Sequence, residues 1–263
     1  MRNTLRFLLA NTSDFDAARH ALPVADMVEV DRYALAMTAR MQDEVTADYE
    51  CYQFHLVAQK LQAFCSEDLG AFFVDILKDR LYTCKAQSPA RRSAQTALCH
   101  ITHSLARLMA PILCFTAEEL WQLFGKEESI FFTTWHELPV AADAAALLSK
   151  WSRLRELRNP VRKHIEELRN AGKVGSSLQA EVDFHVNGAD YELLSSLGDE
   201  LKFLMLTSAA RTQKSNDFEI RVEASANRKC ERCWHHRPDV DEEGLCARCQ
   251  TNLRGPGETR QYV

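Results

Sequence analysis

From Val30 to Tyr49 apolar residues recur at three- and four-residue steps: Val30, Ala34, Met37, Met41, Val45 and Tyr49. That spacing lays one apolar stripe along one face of a helix. The stretch from Tyr52 to Leu81 repeats it through Phe54, Val57, Leu61, Phe64, Phe72, Ile76 and Leu81. Pro89, tolerated in a first turn, opens a third helix through Ala94, Leu98, Ile101, Leu105 and Leu108, which Pro111 should kink or end. Thr116-Ala-Glu-Glu119 fits a capping box ahead of Leu120, Trp121 and Phe124, with Gly125 as the stop. Long helices with short connections and single stripes predict an antiparallel bundle over residues 1–125.

Residues 126–225 have another texture. Trp151, Leu154, Val161, Ile165 and Leu168 suggest a helix that Pro160 bends. Leu178, Ala180, Val182, Phe184 and Val186 alternate strictly, as a half-buried strand does, and Phe218, Ile220 and Val222 alternate again. Residues 191–197 read as helix and Phe203–Leu206 as a short strand. This predicts a small mixed α/β unit. Residues 226–263 are short and polar and cannot bury a core, so they need a staple. The predicted class is mainly α: an antiparallel helical bundle, a small α/β unit and a C-terminal knuckle held by a staple.

Composition narrows the function. With 263 residues, 46% hydrophobic and 26% charged, the chain is an ordinary globular protein. The net charge of −5 excludes a uniformly basic nucleic-acid coat but not a local basic surface. Of nine glycines only Gly70 and Gly125 precede residue 172, so neither common glycine-rich phosphate loop is present. No apolar run approaches the roughly 18–20 residues of a membrane span, and the Leu5–Ala10 run lacks a signal-peptide layout. The chain is expected to be cytoplasmic. No spaced carboxylate pair, Ser–His–Asp set or activated Cys–His pair stands out, and no catalytic residue is assigned.

The strongest signal lies near the end. Cys230-Glu-Arg-Cys233 and Cys246-Ala-Arg-Cys249 form two C-x-x-C hooks with 12 residues between them. Two hooks complete a closed four-sulfur shell around one structural Zn²⁺, with no open position for a catalytic water. Two disulfides would need an oxidising compartment that nothing here signals, and a redox pair needs only one hook. The other cysteines, Cys51, Cys65, Cys84, Cys99 and Cys114, lie singly and are expected to be buried free thiols. His100 and His103 share a helix face but lack an evident third ligand, and His235 and His236 are not needed beside four cysteines.

Arg228, Lys229, Arg232, Arg237, Arg248 and Arg254 surround the hooks. Four thiolates and one Zn²⁺ carry −2, so these cations either compensate that charge or contact phosphates. Trp234 follows Cys233 directly, as local packing or as a stacking platform for unpaired bases. Residues 80–107, with Arg80, Lys85, Arg91, Arg92 and Arg107 and no acid, carry +5. Residues 151–173, with seven cations against three acids, carry +4. Each is a solvated helix face or a nucleic-acid contact.

Several runs carry a family resemblance: Arg2-Asn-Thr-Leu-Arg-Phe-Leu-Leu9, Met27-Val-Glu-Val-Asp-Arg-Tyr33, Lys78-Asp-Arg-Leu-Tyr82, Arg91-Arg-Ser-Ala-Gln-Thr96, Leu108-Met-Ala-Pro-Ile-Leu113 and Phe115-Thr-Ala-Glu-Glu-Leu-Trp121. Together they resemble the anticodon-binding helical domain of class I aminoacyl-tRNA synthetases of the isoleucine, valine and leucine branch. Arg158-Asn-Pro-Val-Arg162 and Gly172-Lys-Val-Gly-Ser-Ser-Leu178 sit where that family has its intervening α/β region. The ending, Lys229-Cys-Glu-Arg-Cys-Trp234 with Cys246-Ala-Arg-Cys249, resembles the C-terminal zinc domain of the bacterial isoleucine enzymes.

The resemblance implies the last third of an isoleucine–tRNA ligase. Its two ATP-site signatures and its editing domain are absent here, so this chain is not expected to be catalytic by itself. The implied partner is tRNA(Ile), with N-terminal catalytic and editing domains in the full-length enzyme. DNA and membrane are not expected, and a monomer is. It further implies that Arg232 and Trp234 reach anticodon bases. Lys229, Arg228, Arg91, Arg92, Arg162 and Lys173 would contact the RNA, those in the two basic stretches by holding the backbone. Two alternatives remain: a free-standing zinc-containing RNA-binding module, and a DNA glycosylase-type zinc-finger protein. The second is disfavoured by Arg2 where those enzymes carry a proline nucleophile.

Overall fold

The stripe that runs from Val30 to Tyr49 becomes a helix of 22 residues in the computed structural model, which describes residues 1–125 and 127–263. The chain divides into two compact units, Met1–Lys78 with Arg91–Leu147 and Asp79–Ala90 with Leu148–Val263.

The first unit is all helix. It opens with α1 (Arg2–Asn11) and the single turn α2 (Ala17–His20), capped by the Asp16 carboxylate accepting from the Ala18 amide. Helix α3 (Glu29–Glu50) follows, then α4 (Phe54–Ala63). The run predicted as one helix over 52–81 is continuous from Phe54 to Thr83, but Phe64–Phe73 is a π-helix between α4 and α5 (Val74–Thr83). The wider turn admits Gly70, where a Cβ would stand 3.1 Å from the Cys65 carbonyl. Helix α6 (Pro89–Met109) starts at the predicted proline and ends two residues before Pro111. Leu98, Ile101, Leu105 and Leu108 are fully buried on its inner face. Each such side chain removed from water stabilises the fold by about 1.5–3 kcal/mol. Polar groups pin the helix too: Ser93 Oγ accepts from the Val28 amide, and Tyr49 Oη donates 2.7 Å to the Leu108 carbonyl.

The capping box at Thr116 does not form. Helix α7 (Cys114–Leu123) begins two residues earlier with Leu113 as its cap. The turn after α6 delivers the chain straight into it, the Ala117 amide donating 2.9 Å to the Leu113 carbonyl. Thr116 is therefore inside the helix. Glu119 pairs with Arg2 instead, and Glu118 accepts from Ser129 Oγ and the Ile130 amide. Gly125 does follow the helix, at φ +70°.

The second unit is built on α8 (Ala144–Asn170), which begins earlier than predicted and carries Pro160 inside it. Trp151, Leu154, Leu157, Val161 and Ile165 bury one face. Strand β1 (Ala180–Val186) alternates buried and half-buried as its sequence predicted. It is the centre of a three-stranded sheet, parallel to β2 (Ala209–Lys214) and antiparallel to β3 (Glu219–Ala224). Between β1 and β2 run α9 (Gly188–Ser196) and α10 (Leu201–Met205). The strand predicted at Phe203–Leu206 is a correction: Leu201 to Met205 are buried all round, and continuous burial over five residues has no alternation to separate strand from helix. Leu206 ends the turn at φ +57°. The two-stranded ribbon of β4 (Arg228–Lys229) and β5 (His236–Arg237) and helix α11 (Ala247–Arg254) complete the chain. Among the described residues no helix is long and apolar enough to cross a membrane.

Candidate metal centre and nucleic-acid interface

The ribbon brings the first hook around and α11 carries the second. Cys246 caps that helix and Cys249 lies in its first turn. The Cys230 amide donates to the His235 carbonyl and the Trp234 amide to the Cys230 carbonyl, both at 2.9 Å. Gly244, at φ +79°, turns the chain back so that its carbonyl accepts from the Glu231 amide. All four cysteines are buried, and their sulfurs lie within 4.8 Å of one another. Cys233 Sγ and Cys246 Sγ are 3.7 Å apart, and the Cys246 amide donates to Cys230 Sγ at 3.4 Å. A tetrahedron of sulfurs about 2.3 Å from a metal has edges of about 3.8 Å. Hydrogen bonds from Cys233 and Cys249 hold the Cys246 thiol below its ordinary value. The cluster can bind a metal ion, and it is the one such group of three or more ligands among the described residues.

Trp234, next to this cluster, is 60% exposed and adopts φ +65°. A bulky residue in the left-handed region is an outlier costing on the order of 1–3 kcal/mol. The knuckle holds it there through the hydrogen bond that the Trp234 amide donates to the Cys230 carbonyl. Lys229 Nζ lies 5.5 Å from the indole centroid, a cation beside an open aromatic face. Arg228, on the same ribbon strand, is exposed and reaches back to the Val240 carbonyl at 3.5 Å.

The arginines inside the hooks turn inward. Arg232 donates 2.6 Å to the Thr83 carbonyl and lies 3.7 Å from Cys249 Sγ. Arg248 chelates the Asp79 carboxylate at 2.6 and 2.7 Å, and Arg260 adds a third bond of 2.7 Å. Burial pushes the Asp79 carboxyl up, but the two guanidiniums more than offset this and hold it well below the usual carboxylate range. His235 is buried, its Nδ1 4.0 Å from Asp79 and its ring edge-on to Phe203. Arg260 stacks on the Phe203 ring at 3.4 Å.

The remaining predicted contacts separate. Arg162 on α8 and Lys173 beyond its end are exposed. Arg91 is bidentate to Asp14 at 2.6 and 3.0 Å. Arg92 is buried and bonds the Asp14 carbonyl and Gln95 Oε1. Both arginines anchor the turn after α1. Cys65 and Cys84 are buried thiols and Cys99 is half-buried, but Cys51 and Cys114 are exposed, because each sits at a helix end outside the apolar stripe. His100 and His103 acquire a neighbour no spacing foretold: His136 Nε2 is 2.9 Å from His100 Nδ1, and its ring stacks 5.5 Å from His103.

A sequence profile described as the anticodon-binding domain of tRNA ligase matches residues 31–184. The chain belongs to that family. Beyond the match, the chain has similar curated relatives along nearly its whole length. It is 54% identical over 275 residues to the isoleucine–tRNA ligase of Bordetella pertussis, covering 99% of this chain and 29% of that protein. It is 56% identical over 268 residues to that of Paraburkholderia xenovorans, covering 99% and 28%. The ligase of Thiobacillus denitrificans is 53% identical, covering 100% and 29%. The chain thus spans less than a third of the length of these curated relatives. The cysteine knuckle lies outside the profile match but inside the region shared with the ligases.

Periodicity and motif spacing gave no role to Asp79, Glu258 or Arg260; Asp79 and Glu258 each face both Arg248 and Arg260. One signal was available: both hooks carry arginine at their third position, in Cys-Glu-Arg-Cys and Cys-Ala-Arg-Cys.

Proposed function

We propose that this chain recognises the anticodon loop of tRNA(Ile) as part of an isoleucine–tRNA ligase, in the cytoplasm and as a monomer. Catalytic and editing functions then belong to the remaining length of the enzyme. The observation that carries this reading is Trp234, held exposed in a strained backbone beside Lys229 on a four-sulfur knuckle. An unpaired base stacks on such a face, worth about 1–3 kcal/mol per base. Lys229 and Arg228 on the ribbon, with Arg162 and Lys173, would take phosphates without reading sequence. Arg91 and Arg92 enter this reading through the Asp14 turn that they tie down. Arg232 enters through the Thr83 carbonyl it grips.

The metal that best fits four buried sulfurs is Zn²⁺, held by Cys230, Cys233, Cys246 and Cys249. A closed thiolate shell gives it a structural role: its binding free energy folds the tip that presents Trp234.

The test is binding of tRNA(Ile) and tRNA(Val) to the purified chain at two salt concentrations, with and without a zinc chelator. A preference for tRNA(Ile) that collapses on chelation supports the reading. Equal binding of both, or binding indifferent to chelation, overturns it.

A further inference from the structure

The two hooks grip one short stretch of helix with the same position of each motif. Arg232, third in the first hook, donates to the Thr83 carbonyl, and Arg248, third in the second, chelates Asp79 and reaches Thr83 Oγ1 at 3.3 Å. Arg260 closes a third bond onto Asp79. Side chains from hook, hook and C-terminal segment thus converge on the last turn of α5. The carboxylate is nearly enclosed and accepts three charge-assisted bonds, the short and directional kind. A sulfur cluster fixes the hooks to each other, but nothing in a tetrahedral shell fixes the direction in which the knuckle faces. The Asp79 clamp supplies that direction.

We propose that Asp79 is a positioning residue for RNA recognition: it orients the knuckle so that Trp234 is aimed at the loop, without itself touching RNA or metal. The inference rests on the reading of Trp234 as a base-stacking residue. It separates two jobs that the sequence merges. The cysteines keep the tip folded, whereas the third-position arginines keep it pointed. Arg232 and Arg248 are thereby taken out of the set of cations free to meet phosphates.

Asp79→Asn keeps the shape and removes the charge that both guanidiniums share. The measurement is the affinity of the 263-residue chain for tRNA transcripts bearing the isoleucine and valine anticodons. It is made for Asp79→Asn, Trp234→Ala and the double variant, across a salt series. Cobalt(II) titration reports whether the four-sulfur site is intact. Asp79→Asn should keep the four-thiolate cobalt spectrum and the slope of affinity with salt. It should bind the isoleucine transcript about fivefold more weakly and lose preference over the valine one. In the Trp234→Ala background it should cost less than about twofold, because the ring it aims is gone. Full additivity of the two changes, or an unchanged affinity for Asp79→Asn, overturns the positioning role. An unchanged affinity for Trp234→Ala overturns the stacking reading beneath it. Should Asp79→Asn lose the cobalt spectrum, Arg248→Lys, which keeps the charge but cannot chelate both oxygens, is expected to show the same loss of preference. If Arg248→Lys keeps full preference, the proposal is wrong.

Discussion

The helical unit and the cysteine knuckle are stabilised by opposite means. The first buries Leu98, Ile101, Leu105 and Leu108 in a continuous apolar interior that requires no individual partner for each side chain. The apolar cluster of the knuckle is limited to four cysteines, Val240 and part of Leu245, and its order comes from sulfur geometry and paired charge. Apolar burial is non-directional and tolerates small shifts. Thiolate shells and chelated carboxylates are directional and do not. A surface that must present one aromatic ring in one orientation is therefore better built from the second kind.

The largest effect should come from removing the metal. Chelation, or Cys249→Ser, should unfold the knuckle, because structural sites of this type contribute on the order of 10 kcal/mol to folding. Far-UV circular dichroism should show the helical unit retained while tRNA binding falls by well over tenfold. Loss of both together would erase the contrast between the two regions. Leu98→Ala should do the reverse, lowering the stability of the helical unit by about 2–5 kcal/mol in denaturant melts while the cobalt spectrum of the knuckle stays unchanged.

A smaller effect sharpens the knuckle side. Trp234→Gly relieves a left-handed backbone and should stabilise the knuckle against chelator by about 1 kcal/mol. It should also weaken tRNA binding by about 1–3 kcal/mol. Stability and binding moving in the same direction would show that the ring serves packing.

The smallest effect concerns acid. Burial first, then the charges of His100, His103 and Arg107, hold His136 down to about 3. The unfolded chain, near 6.5, binds the proton that the folded one refuses, so stability falls as pH drops from about 6.5 toward 3. His136→Gln should flatten melting temperature against pH between 7 and 5. Asp14 adds nothing in that window, because the Arg91 contact holds its carboxyl below the usual range and its contribution is lost only under more acid conditions.

Periodicity located α3, α6, β1 and β3 within a few residues, because each presents one face to a core and the repeat follows from that. It failed where burial is complete, at Leu201–Met205, and where a helix begins from a turn already formed, at Thr116. It could not see the π-helical stretch either, since one additional residue per turn leaves no mark on composition. At the candidate site the ligands were plain from spacing, because a hook is a local object. The partners of Arg232 and Arg248 were not, because they lie 149 and 169 residues away.

That separation sets an order of assembly. Residues 79–90 belong to the second compact unit, yet the stretch Arg91–Leu147 of the first unit follows them. At about 5–20 residues per second on the ribosome, Asp79 waits roughly 10–30 s for Arg248 to be synthesised, and somewhat longer for Arg260. During that interval its carboxylate stands without either guanidinium, and the pair of hooks is not yet complete. A chain cut short between residues 148 and 247 carries helices α1 to α7 without a completed tip. The knuckle proposed to present Trp234 to RNA is thus oriented only once Arg248 has been translated.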